Sequence, residues 1–408
     1  MTRLAKVIDF LGLKRSIGAL LAMVILVGMG EHLAERFLPL YLLALAGGNL
    51  SIGLMNGLDN LLSALYSFPG GYASDRLGYK RALLLFNLIA LFGFLIVILF
   101  PYWYAVIIGS LFFLSWTAIS LPATMSMVSR VLPTSKRTMG VSMHALVRRV
   151  PMALGPILGG VLIHAYGVRA GIRLAFMVAF VLGFVSILLQ QTLIQEPTEE
   201  ERKRQRSHAE TNPLRVLRLL SPSLRNLLVS DILVRFCEQI PHAFVVVWCV
   251  KNVGIREDSF GILTALEMVT AMLIYVPVAY LADRSTKKPF VLVTFVFFAL
   301  FPLMLYYSRS VHLLVLAFIL RGLKEFGEPT RKALIMDLAP EEKKASLFGA
   351  YYLVRDVIVS VASFGGAFLW SISPAHNLFS AFGFGVAGTL WFAIFGKDLP
   401  VVRPARET

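Results

Sequence analysis

Long apolar runs, broken by short loops rich in lysine and arginine, set the rhythm of this chain. Twelve runs, each close to the roughly 20 residues that cross a bilayer as a helix, fall at about 16–45, 51–73, 81–100, 103–129, 139–165, 171–193, 226–250, 259–282, 289–307, 311–330, 345–371 and 376–396. Six precede the one long polar stretch and six follow it. The pattern predicts an all-α membrane protein of twelve transmembrane helices. Two pseudo-symmetric six-helix bundles, 1–194 and 225–408, flank a cytoplasmic linker at 195–224.

The halves repeat in detail. The segment Pro69-Gly-Gly-Tyr-Ala-Ser-Asp75-Arg76-Leu-Gly78-Tyr-Lys80-Arg81 reappears 208 residues on, with Asp283 and Arg284 in the same places. Residues 133–149 match 340–356 at an offset of 207, and Pro122 and Pro329 keep that offset. Internal repetition on this scale fits a transporter built from matching bundles.

Composition narrows the class. The chain is 57% hydrophobic and 15% charged, against about 25% charge in a soluble domain, which leaves no room for a soluble catalytic domain. A net charge of +15 invites a nucleic-acid reading, but its placement argues against one. Counting alternate loops as one side gathers most of the 39 basic residues there, whereas only Arg169, Arg173, Lys251, Arg256 and Arg309 fall on the other. The positive-inside rule then puts both termini in the cytoplasm. The first span carries no cleavage site of small residues and reads as retained. Cys237 and Cys249, twelve residues apart on one helix, are too distant to pair and suit no metal. Gly-Lys-Ser/Thr, His-Glu-x-x-His and Gly-x-Ser-x-Gly motifs are absent, so neither ATP hydrolysis nor enzyme chemistry is expected. No cofactor is expected either, and the driving force is read as a proton gradient.

Charges inside the spans carry the functional reading. Each costs at least about 2.5–3.5 kcal/mol in hydrocarbon, so each must face protein or water. They are Glu31, Glu35 and Arg36 on span one, Asp59 on span two, Arg148 and Arg149 on span five, and Asp231, Arg235 and Glu238 on span seven. Glu267 lies on span eight, Arg321, Lys324, Glu325 and Glu328 on span ten, and Arg355 and Asp356 on span eleven. Spans three, six, nine and twelve have none and are free to meet lipid. Asp59 and Glu267 stand 208 residues apart, which suggests a shared role. Arg148 and Arg149 repeat as Arg355 and Asp356 near mid-depth, where an arginine pair suits an anionic or zwitterionic group or else neutralises Glu31, Glu35 or Asp59. On a 3.6-residue helix Arg321, Lys324, Glu325 and Glu328 share an arc of about 100°. Arg321 is read as facing a cavity, and Glu325 and Glu328 as gate pairs with arginines at the span ends. Arg235 and Glu238, i to i+3, are expected to pair with each other or with that stripe.

On these residues the chain resembles the major facilitator superfamily over essentially its whole length. The motif Gly71-Tyr-Ala-Ser-Asp75-Arg76-Leu-Gly78-Tyr-Lys80-Arg81 resembles the superfamily's loop between spans two and three, with Ala73 and Tyr79 as departures. The resemblance implies that this loop, with Asp283-Arg284 as its degenerate partner, latches the cytoplasmic gate. Gly155-Pro156-Ile-Leu-Gly159-Gly160 on span five resembles the antiporter signature, although Ser142 and Pro151 replace earlier glycines; it implies close helix packing and favours export. Span four lacks the usual arginine. Glu31-His-Leu-Ala-Glu35-Arg36-Phe37 resembles the acidic-acidic-Arg-Phe element of proton-coupled peptide transporters with one residue added.

The reading is a monomeric secondary transporter of the bacterial inner membrane that works by alternating access. It exports a small organic solute, coupled to protons; alternatives are proton-coupled uptake of an anionic or zwitterionic metabolite, and lipid or lysolipid flipping. Its partners are membrane lipids, the solute and protons, with no nucleic acid.

Overall fold

A computed structural model describes residues 15–114, 116, 118–120, 123–124, 134–194, 220–282, 286–338 and 344–397. Side chains at 15–17, 67–71, 74–76, 134–146, 275–276, 279–280, 282 and 344–346 fall outside that description. Among the described residues all regular structure is helical. Span one is Arg15–Ala34, a 3₁₀ turn at Glu35–Phe37, then Leu38–Ala44; span two is Gly48–Leu77, span three Tyr79–Leu99, and span four begins at Trp103–Phe113. Spans five and six form the single run Thr134–Leu193, divided at Gly167, where φ is +77° and only glycine is unstrained. Spans seven to nine are Pro222–His242 continued through Val253, Glu257–Ala282 and Lys288–Tyr307. Span ten is Val311–Leu323 and, after a break, Glu328–Asp337; spans eleven and twelve are Lys344–Ile372 and Pro374–Phe395.

Among the described residues seven helices are by themselves long and apolar enough to cross a membrane, or eight with the bent span seven included. The other expected passes are also helical. Span two is diluted by Asp59, and the unbroken run of described side chains in span eight ends at 274, a stretch that includes Glu257, Asp258 and Glu267. Span ten is cut short by its break. Spans five and six count once because they run together.

Spans one and ten break where they carry charge, each with a proline just downstream, and span seven bends just past a proline. A proline ring collides with the carbonyl four residues earlier. Pro39 thus excludes a regular turn at Glu35, whose carbonyl accepts instead from Leu38 N–H. Pro329 does the same to Glu325, and the chain turns through Lys324–Gly327 with Phe326 N–H bonded to Leu323 O at 2.9 Å. Past Pro241, span seven bends by 43°, with Phe244 N–H on the Pro241 carbonyl.

Contacts divide the chain into two compact units, Met1–Glu210 with Val246–Ala265, and Thr211–Val245 with Leu266–Thr408. Most of the expected linker (195–219) lies outside the described residues. Val246–Ala265, the end of span seven and the start of span eight, packs with the first unit.

In that unit span five lies against span one. A Cβ on Gly155 would stand 2.7 Å from His32 Cβ, and one on Gly159 would collide with the Leu33 carbonyl. The second unit repeats this contact with a Cβ on Gly366 and the Ile240 carbonyl. Both partners are displaced by 207 residues, which fixes the register between spans one and seven and between spans five and eleven.

Span three presents Leu88, Phe92 and Leu99 outward, and span six Val181, Phe184 and Leu188, as a lipid-facing surface requires. Their inner faces are not purely apolar, which their lack of charge had concealed. Trp116 Nε1–H donates to Asn87 Oδ1 at 2.9 Å. Asn87 donates to Gln190 Oε1 at 2.8 Å, and Gln190 donates to the Lys80 carbonyl at 2.7 Å. Trp116, Asn87 and Gln190 thus satisfy one another away from water, as burial of polar groups demands.

Candidate substrate and proton pathway

The second unit holds a buried ladder of opposite charges. Asp231, 1% exposed, receives Arg331 in a very close ion pair, the Tyr351 hydroxyl at 3.1 Å and Arg355 at 3.5 Å. Arg355 also grips Asp356 at 2.7 Å and lies over the Tyr352 ring. Arg331 continues to Glu328 at 2.7 Å, and Glu328 meets Arg235 at 3.2 Å. From Arg235 the ladder passes to Glu238 at 2.6 Å, and from Glu238 to Lys324 at 2.7 Å. Lys324 stands 3.5 Å from Glu267, which Arg321 meets at 3.2 Å. Phe298 lies under Arg235 and Lys324, and Phe301 and Phe318 flank Arg321. Every charge has an opposite neighbour, which is how so many ions remain buried together.

Several sequence expectations change here. Arg321 was placed on a cavity, but it is 3% exposed, closed in by two rings and Glu267. Arg235 and Glu238 pair both with each other and with the span-ten stripe. Arg331, counted from sequence with the basic loop residues, is among the largest fully buried side chains. Continuing the span-ten arc by one turn would have included it. Tyr351 and Tyr352 carry no charge and gave no signal.

In the first unit the candidate charges are more exposed. Glu31 is buried, whereas Glu35, Arg36, Asp59, Arg148 and Arg149 are half-buried. His32 Nδ1 and Glu35 stand 2.5 Å apart. Asp59 lies in the field of Glu35 and Arg36 and is bonded to Ser63, and Arg148 lies in the field of Glu31. The span-five glycines bring these groups together, because Arg148 precedes Gly155 by two turns on the face that meets span one.

Among the gate candidates, Gly78 has φ of +81° and makes the reversal between spans two and three. Lys80 Nζ donates to the Gln191 carbonyl at 2.9 Å, at the end of span six. Its mate Lys288 donates to the Ala393 carbonyl at 2.8 Å, at the end of span twelve. Glu325 lies on the span-ten break, and Glu328 is in the ladder. Asp283 and Arg284 lie outside the described residues, as do the side chains of Asp75, Arg76 and His144. Pro156 and Gly160 pack on the start of span eight: the Pro156 carbonyl meets Gly261, and a Cβ on Gly160 would lie 2.5 Å from the Glu257 carbonyl.

The doubled fold has a counterpart in sequence profiles. Residues 20–249 and 227–408 each match the profile of the Major Facilitator Superfamily. The chain belongs to the Major Facilitator Superfamily. As a member it is an integral membrane protein and a secondary transporter that works by alternating access, not an enzyme. An uncharacterized MFS-type transporter of Methanocaldococcus jannaschii is 22% identical over 353 residues, covering 85% of this chain and 86% of that one. Among solved structures, a nucleoside transporter superposes with a TM-score of 0.77 at 15% identity, covering 95% of this chain and 100% of that one. A POT family transporter in complex with 5-aminolevulinic acid gives 0.75 at 11% identity, covering 94% and 96%. A bacterial homolog of the human lysosomal transporter Spinster, inward-facing and unoccupied, gives 0.71 at 13%, covering 93% and 95%. At these identities the superfamily fold is what is shared.

Proposed function

We propose that this superfamily transporter moves a small anionic or zwitterionic organic solute together with protons, and that Glu31 and Asp59 in the first half exchange the protons. The observation that carries this is a difference between repeat mates. The Gly159–Leu33 and Gly366–Ile240 contacts fix a register in which Glu31 matches Glu238 and Arg148 matches Arg355. Asp59 matches Glu267 at 208. In the second half both carboxylates are clamped by Arg235, Arg321 and Lys324. In the sequence the positions 207 residues before those three cations are the uncharged Gly28, Leu114 and Thr117. Where the repeat replaces a cation by a neutral residue, the matching carboxylate is the better candidate to be neutralised by a proton.

Arg148 supplies the coupling. With Glu31 ionised, Arg148 is held by it; with Glu31 protonated, the guanidinium is released to take an anionic group of the solute. Proton and solute then bind together, which is the condition for symport. One proton crossing 100 mV contributes about 2.3 kcal/mol, roughly a fifty-fold gradient. The fold neighbour bound to 5-aminolevulinic acid, a molecule with a carboxylate and an amine, supports a solute of this class.

Export in exchange for protons is the second reading, favoured by the close packing of Gly155, Gly159 and Gly160. It requires proton and solute to exclude each other, which suits a cationic solute competing for a carboxylate. Proteoliposomes with a trapped pH-sensitive dye, screened against pooled anionic, zwitterionic and cationic metabolites, separate the two. Symport predicts lumen acidification when solute enters, and antiport alkalinisation. Glu31→Gln should keep solute counterflow while losing accumulation driven by a pH gradient, and Arg148→Ala should lose both. Full gradient-driven accumulation in Glu31→Gln would sink the assignment of Glu31.

A further inference from the structure

At the end of span five remote from the Gly78 turn, Pro156, Gly160 and His164 recur at i, i+4 and i+8 and so share one face. That face lies on the start of span eight. Pro156 meets Gly261, Gly160 meets the Glu257 backbone, and His164 Nδ1 stands 3.8 Å from Glu257 Oε2. Phe260 stacks edge-on against Phe37 of span one at 5.6 Å, and Thr264, one turn further in, is 1% exposed. The contact is tight enough that Val246–Ala265 groups with the first unit. In a transporter that works by alternating access, backbones packed this closely at one membrane face form a seal that must part for that face to open.

We propose that His164 and Glu257 form a proton-operated clasp on this seal. His164 is 45% exposed at the side chain and Glu257 20%, so protons reach the pair from the aqueous phase while the seal is shut. A histidine changes charge between pH 5 and 8; His164 as imidazolium binds the Glu257 carboxylate, and as neutral imidazole it does not. The other charged groups nearby are already engaged. Asp258 lies in the field of His164 but is held by Arg256 at 2.6 Å and by Ser259 N–H. Arg169, beyond the Gly167 break, donates to the Ala44 carbonyl. The clasp is therefore closed in acid and loosened as the pH of that compartment rises. It rests on alternating access alone and not on the symport reading.

The test needs no substrate. In a Cys237→Ser, Cys249→Ser background, the near-isosteric Thr264→Cys serves as a buried reporter, labelled by a small methanethiosulfonate in proteoliposomes from pH 5.5 to 8. Rates are normalised to the same reporter carrying His164→Gln, which removes the intrinsic pH dependence of the thiol. Labelling should be about two- to five-fold slower at pH 5.5 than in the His164→Gln protein, the scale of a half-exposed ion pair, and equal to it at pH 8. His164→Lys should be slow at every pH, and Glu257→Gln should match His164→Gln. Identical profiles with and without His164, or a Glu257→Gln protein that keeps the acid slowing, would overturn the proposal.

Discussion

Arg331 shows how much one side chain can decide. It reads as a loop residue that helps set topology, yet it is buried against Asp231 and Glu328. Removing one member of a buried pair costs about 3–5 kcal/mol, because the partner is left charged without compensation. Arg331→Gln should therefore lower thermal stability sharply in detergent. The double variant Asp231→Asn, Arg331→Gln should recover part of the loss, since no lone charge remains. A double variant no more stable than the single would mean that the pair matters for contacts rather than charge. Apart from Arg331, the charges of the ladder were legible in sequence because a charge in an apolar run stands out. The Asn87–Gln190–Trp116 chain was not, since neutral polar residues 103 positions apart leave no local pattern.

At the level of the helix, small residues and prolines fix where spans touch and where they turn. Gly155-Pro156-Ile-Leu-Gly159-Gly160 was legible as a packing element, and it packs on two partners, spans one and eight. At Gly159 a methyl group meets backbone that cannot swing aside. Gly159→Ala should destabilise the fold by about 1–3 kcal/mol, the usual cost of overpacking, read as a lower melting point. Gly349→Ala, with nothing within 4 Å of its Cβ position, should not. Equal effects at the two positions would show that helix propensity rather than steric fit is being measured. The breaks near Pro39, Pro241 and Pro329 were less legible. Each proline lies inside an apolar run whose hydropathy is unaffected, so the run reads as one rod.

Across the whole chain the repeat is the organising fact. It was visible in the loops, and the structure extends it into the helices through the Gly159–Leu33 and Gly366–Ile240 contacts. Lys80 and Lys288, 208 residues apart, each reach a backbone carbonyl at the end of the last span of their half. A cation there also meets the negative end of the helix dipole. Lys80→Met and Lys288→Met should each cost about 1 kcal/mol, with similar shifts in melting temperature. A cost at one position and none at the other would mean that the symmetry of geometry is not one of energy. What the repeat does not preserve is charge balance, and that asymmetry carries the functional reading. In the second half, cations on spans seven and ten hold Glu238 and Glu267, whereas the sequence has the uncharged Gly28, Leu114 and Thr117 at the matching positions.

The lysine staple also sets an order of events during synthesis. Lys80 leaves the ribosome with the third span, but the carbonyl that receives it lies 111 residues downstream. At the ordinary pace of about 5–20 residues per second, that end of the third span waits several seconds for its partner. The first six spans can close on themselves before most of the second half has been made. A similar wait, 105 residues between Lys288 and Ala393, recurs in the second half. Each half is thus completed by its own last helix, so insertion proceeds as two successive closures rather than one.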